Sequence, residues 1–249
     1  MTQEQLSPAD VARGEPLLAV HNLAVTYANG AQGVRDISLT VHAAEIVTVL
    51  GRNGAGKTSL LRGIAGFLSS ERVSVTGSAA VAGHDLAGVT PMRSFRHGVI
   101  LVPERDKVFA NLTVEEHLRL ATRGRQPHTE PCAFPALDRL RTARAGLLSG
   151  GERQMLALEV AWRNDPRLLL VDEASLGLAP VAVKELMERL RVVARERGTA
   201  LIAVEQDASV ALRLADRAYV INHGEVVWEG TSAQTSAASL AREYLGTGR

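Results

Sequence analysis

The sequence predicts an α/β fold, a mainly parallel β-sheet with covering helices that carries an antiparallel β subdomain and a small helical subdomain. Three observations lead there. Near the N-terminus, two segments alternate apolar and polar residues, as antiparallel strands with one wet face do. Further on, residues 45–50, 168–171 and 200–204 are short continuous apolar runs, the pattern of strands buried on both faces. Helical periodicity fills the stretches between these runs, and that alternation builds a parallel sheet.

The elements follow in order. Residues 1–15 are polar and broken by Pro and Gly, so they are expected to be loose. Residues 17–27 read as a strand with Leu23, Val25 and Tyr27 on one face, stopped by the turn Ala28-Asn29-Gly30. Residues 37–41 alternate again. The run 45–50 flows straight into glycines, and residues 57–68 place Leu60, Leu61, Ile64 and Phe67 at helical spacing. Strand, Gly-rich loop and helix make half of a βαβ unit. Residues 112–148 read as a helical insertion that opens on a capping box, Thr113 to Glu116. Pro127, Pro131 and Pro135 break it before a second short helix near 136–143. A charged-faced helix spans 181–197 and closes at Gly198. Residues 200–249 complete a C-terminal core, with a hairpin over 218–229 turning at Asn222-His223-Gly224 and a last helix over 236–245. With no internal repeat, residues 1–249 read as a single domain.

Composition removes several functional classes. The 28 basic and 27 acidic residues leave a net charge of +1, which argues against holding nucleic acid by bulk charge. Arg119, Arg123, Arg125, Arg139, Arg141 and Arg144 read as a solvated basic face. The single Cys132 excludes an intrachain disulfide and a Cys-cluster metal site, and the seven His show no ligand spacing. No apolar run approaches the ~18 residues that span a bilayer. The first residues lack the features of a leader, so the cytoplasm is the expected compartment and any membrane role would pass through a partner. Only three of the basic residues are Lys, at 57, 107 and 184.

Three segments carry chemistry. Gly51-Arg52-Asn53-Gly54-Ala55-Gly56-Lys57-Thr58, followed by Ser59, matches the P-loop pattern between a strand and a helix. Its glycines let backbone N–H groups turn toward phosphate oxygens, and the helix start adds a positive end. Lys57 would reach the β- and γ-phosphates and Thr58 would ligate Mg²⁺. The strand 168–171 ends in Asp172 and Glu173. Asp172 is placed to stand beside the metal and Glu173 to act as general base on water. Leu148-Ser149-Gly150-Gly151-Glu152 is a capping box before a helix. A cap does not need two glycines, whereas a backbone that approaches phosphate does.

In this order, the three segments resemble the ATP-binding cassette (ABC) ATPases, from about residue 17 onward. The resemblance implies a P-loop NTPase fold of ABC type, ATP and Mg²⁺ as ligands, and hydrolysis that energises a transporter. It implies that Tyr27 stacks on adenine, that Ser149, Gly150 and Gly151 contact the nucleotide held by a second cassette, and that Ser175 to Pro180 cross the dimer interface. VTVLGRNGAGKTSLL, LLSGGERQMLALEVAW, DEASLGLAP and the segment from Val204 to Gly230 resemble the shorter cassette of branched-chain (hydrophobic) amino acid importers. The urea or amide importer cassette is a near neighbour, and a non-transport ABC ATPase is the remaining alternative. Implied partners are integral-membrane permeases, a second cassette in a homo- or heterodimer and, indirectly, a substrate-binding protein, with no nucleic acid. The implied location is peripheral, on the cytoplasmic face of the inner membrane. Departures from the family pattern are Glu104 where most cassettes have Gln, Gln206 in place of a switch His, Ala174 in place of Pro, and Arg105-Asp106-Lys107. Glu104 is still expected to reach Mg²⁺ or the water. Gln206 can hydrogen-bond a γ-phosphate but cannot carry a proton. The 112–148 insertion is short for the family.

Overall fold

The structure, a computed structural model, describes residues 14–68, 73–86, 88–122 and 130–245. Residues 1–13, on which the expectation of a loose N-terminus mainly rests, lie outside that set, as do Arg123, Arg125 and Pro127.

Strand β1 (Leu18–Tyr27) pairs antiparallel with β2 (Gln32–Val41), which begins well before the alternation at 37–41. A bulge at Asn22, with φ 50°, resets the phase of β1. Leu18, Val20, Leu23 and Val25 therefore all point inward although their spacing is not strictly even. Strand β3 (Ile46–Leu50) is buried throughout. It leads through the glycine loop into α1 (Lys57–Ile64).

The helix expected over 57–68 stops earlier than its periodicity predicts. Gly66 takes φ 75°, its N–H bonds Gly63 O at 3.3 Å, and the Phe67 N–H bonds Arg62 O at 2.9 Å. This pair of bonds is a Schellman C-cap. It turns Phe67 out of the helix and leaves it 42% exposed rather than in the apolar stripe. Strands β4 (Val73–Val81) and β5 (His84–Asp85) complete a four-stranded antiparallel sheet in the order β2-β1-β4-β5. Sequence patterning misses β4 because most of its side chains are exposed and none of the alternation is strongly apolar.

Helix α2 (Pro91–Arg96) precedes β6 (Val99–Val102). Helix α3 (Val114–Ala121) starts at Thr113 with both capping-box bonds formed. Two 3₁₀ segments, Pro135–Leu140 and Ala145–Leu147, stand where one α-helix near 136–143 is expected. Then come α4 (Gly150–Trp162), β7 (Leu168–Asp172), α5 (Pro180–Glu196), β8 (Ala200–Glu205) and α6 (Ala208–Leu214). Strands β9 (Arg217–Asn222) and β10 (Glu225–Thr231) form the expected hairpin, with positive φ at both His223 and Gly224 as a type I′ turn requires. Helix α7 (Ala237–Leu240) runs on into a π-helical turn, Ala241–Leu245.

The second sheet has the order β10-β9-β3-β8-β7-β6 and is parallel except for β10. Leu60, Leu61 and Ile64 of α1 are buried between the inward faces of the two sheets. The opposite face of the parallel sheet packs against α3, α4 and α5 around Trp162. Arg217 is 2% exposed and ties β9 to the rest, reaching Glu45 at 3.4 Å, Thr40 O at 3.3 Å and the Tyr219 hydroxyl. Among the described residues, no helix is long and apolar enough to cross a membrane.

This strand order decides where chemistry can occur. The chain leaves β3, travels to the far edge at β6 and fills inward through β7 and β8 before placing β9 on the other flank of β3. The carboxyl ends of β3, β8, β7 and β6 therefore lie side by side next to a topological switch point, where open α/β sheets bind ligands.

Candidate nucleotide-binding site

Four loops meet at that edge: the glycine loop after β3, Gln206 after β8, Glu173 after β7 and Glu104 after β6. They line a cleft of about 600 Å³ with Tyr27 and residues 53–59. Gly56 shows why the loop needs glycine. Its φ is 106°, and a Cβ there would stand 2.0 Å from Gly33 O, so the loop and the start of β2 lie backbone to backbone.

Lys57 opens α1 and is 4% exposed. Its ammonium donates to Gly51 O at 2.9 Å and Arg52 O at 3.3 Å, and it lies 3.2 Å from Glu173 Oε1. An ammonium can serve three acceptors in three directions, which a planar guanidinium does poorly. The Thr58 hydroxyl donates to Asp172 Oδ1 at 3.3 Å. Two hard oxygen ligands from separate elements thus face one point, the type of donor set that Mg²⁺ takes together with phosphate oxygens and water. Among the described residues no group of three or more His, Cys, Asp or Glu could hold a metal alone. Burial raises the Asp172 carboxyl above the usual range; the Thr58 bond opposes this, and Glu173 and Glu104 add to it.

Glu173 is 8% exposed and sits at φ 48°, a left-handed backbone that non-glycine residues seldom adopt. Gln206 Nε2 donates to its Oε2 at 2.6 Å. Tyr27 is half-buried, and its hydroxyl shares a 2.8 Å hydrogen bond with Ser59 Oγ. Glu104 lines the cleft and pairs with its neighbour Arg105 at 3.1 Å.

Of the expected site residues, Ser149, Gly150 and Gly151 do not line this cleft; Gly51, Arg52 and Asp172 do not line it either, but each is hydrogen-bonded to Lys57 or Thr58, which do. Gly150 instead lines a neighbouring hollow of about 590 Å³ with Glu104, Lys107, Arg153, Gln154 and Leu178. Ser149 caps α4, accepting the Glu152 N–H at 3.3 Å while its own N–H donates to Glu152 Oε2 at 2.7 Å. Lys107, without a role in the sequence reading, reaches the buried Gln154 Oε1 on α4, and burial lowers its pKa. The sequence reading also missed Ala31, Gln32 and Gly33, which line the cleft from the start of β2. No local motif marks them; only the register of β2 against β1 brings them there. Glu205 was passed over as well, although it ends β8 one residue before Gln206.

Comparison with known proteins gives a consistent family. The ABC transporter family profile matches residues 34–176. The high-affinity branched-chain amino acid transport ATP-binding protein BraG of Pseudomonas aeruginosa is 39% identical over 229 residues, 89% of this chain and 96% of that protein. The probable branched-chain amino acid transport ATP-binding protein LivF of Archaeoglobus fulgidus is 32% identical, over 79% of this chain and 85% of its own. In fold, the chain resembles the ADP conformation of MJ1267, an ATP-binding cassette of an ABC transporter. That match has a TM-score of 0.77 and 21% identity, covering 92% of this chain and 96% of the other.

Proposed function

This chain belongs to the ABC transporter family of ATP-binding cassettes, and from that premise we propose that it is the ATP-hydrolysing subunit of an importer for branched-chain or other hydrophobic amino acids. The substrate class rests on the named relatives, since a cassette does not itself touch the cargo. In this reading residues 1–249 act as one nucleotide-binding domain. The segment 112–148 is its helical subdomain and residues 200–249 belong to its C-terminal core.

The observation that carries the mechanism is the meeting of Lys57, Thr58, Glu173 and Gln206 in one cleft, with Asp172 hydrogen-bonded to Thr58 at 3.3 Å, while Ser149 to Gly151 do not line it. Residues 51–59 hold the phosphates of ATP, Lys57 by its ammonium and the loop by its N–H groups. Tyr27 stacks on the adenine. Thr58 and Asp172, with Glu104 beside them, would hold Mg²⁺, which would supply neutralisation of phosphate charge. Glu173 accepts a proton from water as the water oxygen attacks the γ-phosphorus; the bond to the bridging oxygen breaks and ADP leaves. Gln206 orients the Glu173 carboxylate through its amide and contacts the γ-phosphate, with no proton transfer of its own.

A capped helix start with two glycines that does not line its own cleft fits contact with the nucleotide of a second cassette. Two cassettes then close over ATP and open after hydrolysis, a ligand-held switch that can drive permease subunits. The chain would sit at the cytoplasmic face of the membrane through those permeases. The test is Glu173→Gln. This variant is expected to bind ATP with Mg²⁺, dimerise by light scattering and lose at least 100-fold in hydrolysis; wild-type turnover would overturn the base assignment.

A further inference from the structure

The left-handed backbone at Glu173 needs an explanation, because it sets the direction from which the carboxylate enters the cleft. Such a conformation persists in a non-glycine residue only where its neighbours over-determine it. Here the neighbours are the last residues of β8 and Gln206, which follows it. The Glu173 N–H donates to Val204 O at 3.1 Å, and Gln206 grips the carboxylate at 2.6 Å. Between these two, Glu205 is 1% exposed and points its carboxyl at the turn that follows Glu173. Its Oε1 accepts the Ser175 N–H at 3.2 Å and its Oε2 accepts the Ser175 hydroxyl at 2.5 Å. The turn is closed by the Leu176 N–H, which donates to Glu173 O at 3.3 Å.

We propose that Glu205 is a positioning residue for ATP hydrolysis: by clamping Ser175 from two directions it fixes the turn from 173 to 176 and so aims Glu173 at the water. It touches neither nucleotide nor metal and acts through Ser175. A buried carboxylate in a strand otherwise lined by Ala, Leu, Ile and Val is costly. A purely structural strand end would be served as well by another apolar residue. The same clamp holds the start of the loop from Ser175 to Pro180, so it couples the aim of Glu173 to the segment expected at the cassette interface. The inference rests on the reading of Glu173 as general base.

The test uses the full-length chain with Mg²⁺ and ATP, and reads single-turnover hydrolysis, affinity for a fluorescent ATP analogue and melting temperature. Glu205→Leu removes both acceptors and is expected to lower the hydrolysis rate at least tenfold. Its nucleotide affinity stays within twofold and its melting temperature does not fall. Glu205→Gln offers a carbonyl to the Ser175 N–H and an amide that can donate to the Ser175 oxygen, so it restores the rate to within threefold. A merely structural role would not separate rate from stability in this way. Ser175→Ala is expected to lose part of the rate and Ser175→Thr to recover it, and Ser175→Ala combined with Glu205→Leu to be no slower than Glu205→Leu alone. If Glu205→Leu does not fold, the Ser175 pair decides, and less than a twofold loss in Ser175→Ala overturns the proposal. Wild-type hydrolysis by Glu205→Leu, with Glu173→Gln inactive, overturns the clamp alone. Wild-type hydrolysis by Glu173→Gln overturns the base assignment, and the clamp with it.

Discussion

At the scale of single residues, Glu205 carries a second consequence. Burial pushes its carboxyl up to about 7; the two Ser175 bonds oppose this, while Glu173 and Asp207 add to it. The folded state therefore keeps a proton that the unfolded chain releases near 4.5. That contribution to stability is complete below pH 4.5 and is lost as pH rises through about 7. Its slope cannot exceed about 1.4 kcal/mol per pH unit. Urea unfolding of wild type and Glu205→Gln between pH 4.5 and 8 checks this, since the variant is expected to lose that part of the slope. Lys107 shows a different lesson. Its neighbours in sequence say nothing of its role, because its partner Gln154 lies 47 residues away on α4. Of the three lysines, only Lys57 is explained by its own motif.

At the scale of elements, the start of α4 combines a cap with a proposed phosphate contact. Asp caps a helix about as well as Ser, so Ser149→Asp is expected to leave stability within about 0.5 kcal/mol of wild type. The same variant sets a negative charge where phosphate is expected and would abolish hydrolysis at saturating ATP. Paired melting and ATPase measurements separate the two roles; retained hydrolysis would remove Ser149 from the site. Both capping boxes, at Thr113 and Ser149, were legible because each is written in four consecutive residues. The strands β3, β7 and β8 were legible because burial on both faces leaves an unbroken apolar run. Strand β4 was not, since its exposed side chains carry no such run, and the end of α1 depended on the backbone turn at Gly66.

At the scale of the whole molecule, Arg217 fastens β9 to the turn before β3 across 172 residues of chain. Its partner Glu45 is also buried and accepts the His42 N–H at 2.8 Å. Arg217 also pairs with Glu229 at 3.2 Å, so Arg217→Met takes a buried guanidinium away from two carboxylates and is expected to cost about 3–5 kcal/mol in chemical denaturation. Arg217→Met combined with Glu45→Leu is expected to recover most of that loss. By itself, the sequence determined the glycine loop with Lys57 and Thr58, the Asp172-Glu173 strand end and the two caps. Each of these is written in residues adjacent along the chain or one helical turn apart. Only the tertiary structure decided that Gln206 meets Glu173, that Glu205 holds Ser175 and that Lys107 holds Gln154. It also decided that Ser149, Gly150 and Gly151 lie outside the cleft that the glycine loop lines. Those relations depend on strand order and register, and they join side chains that no local pattern can bring together.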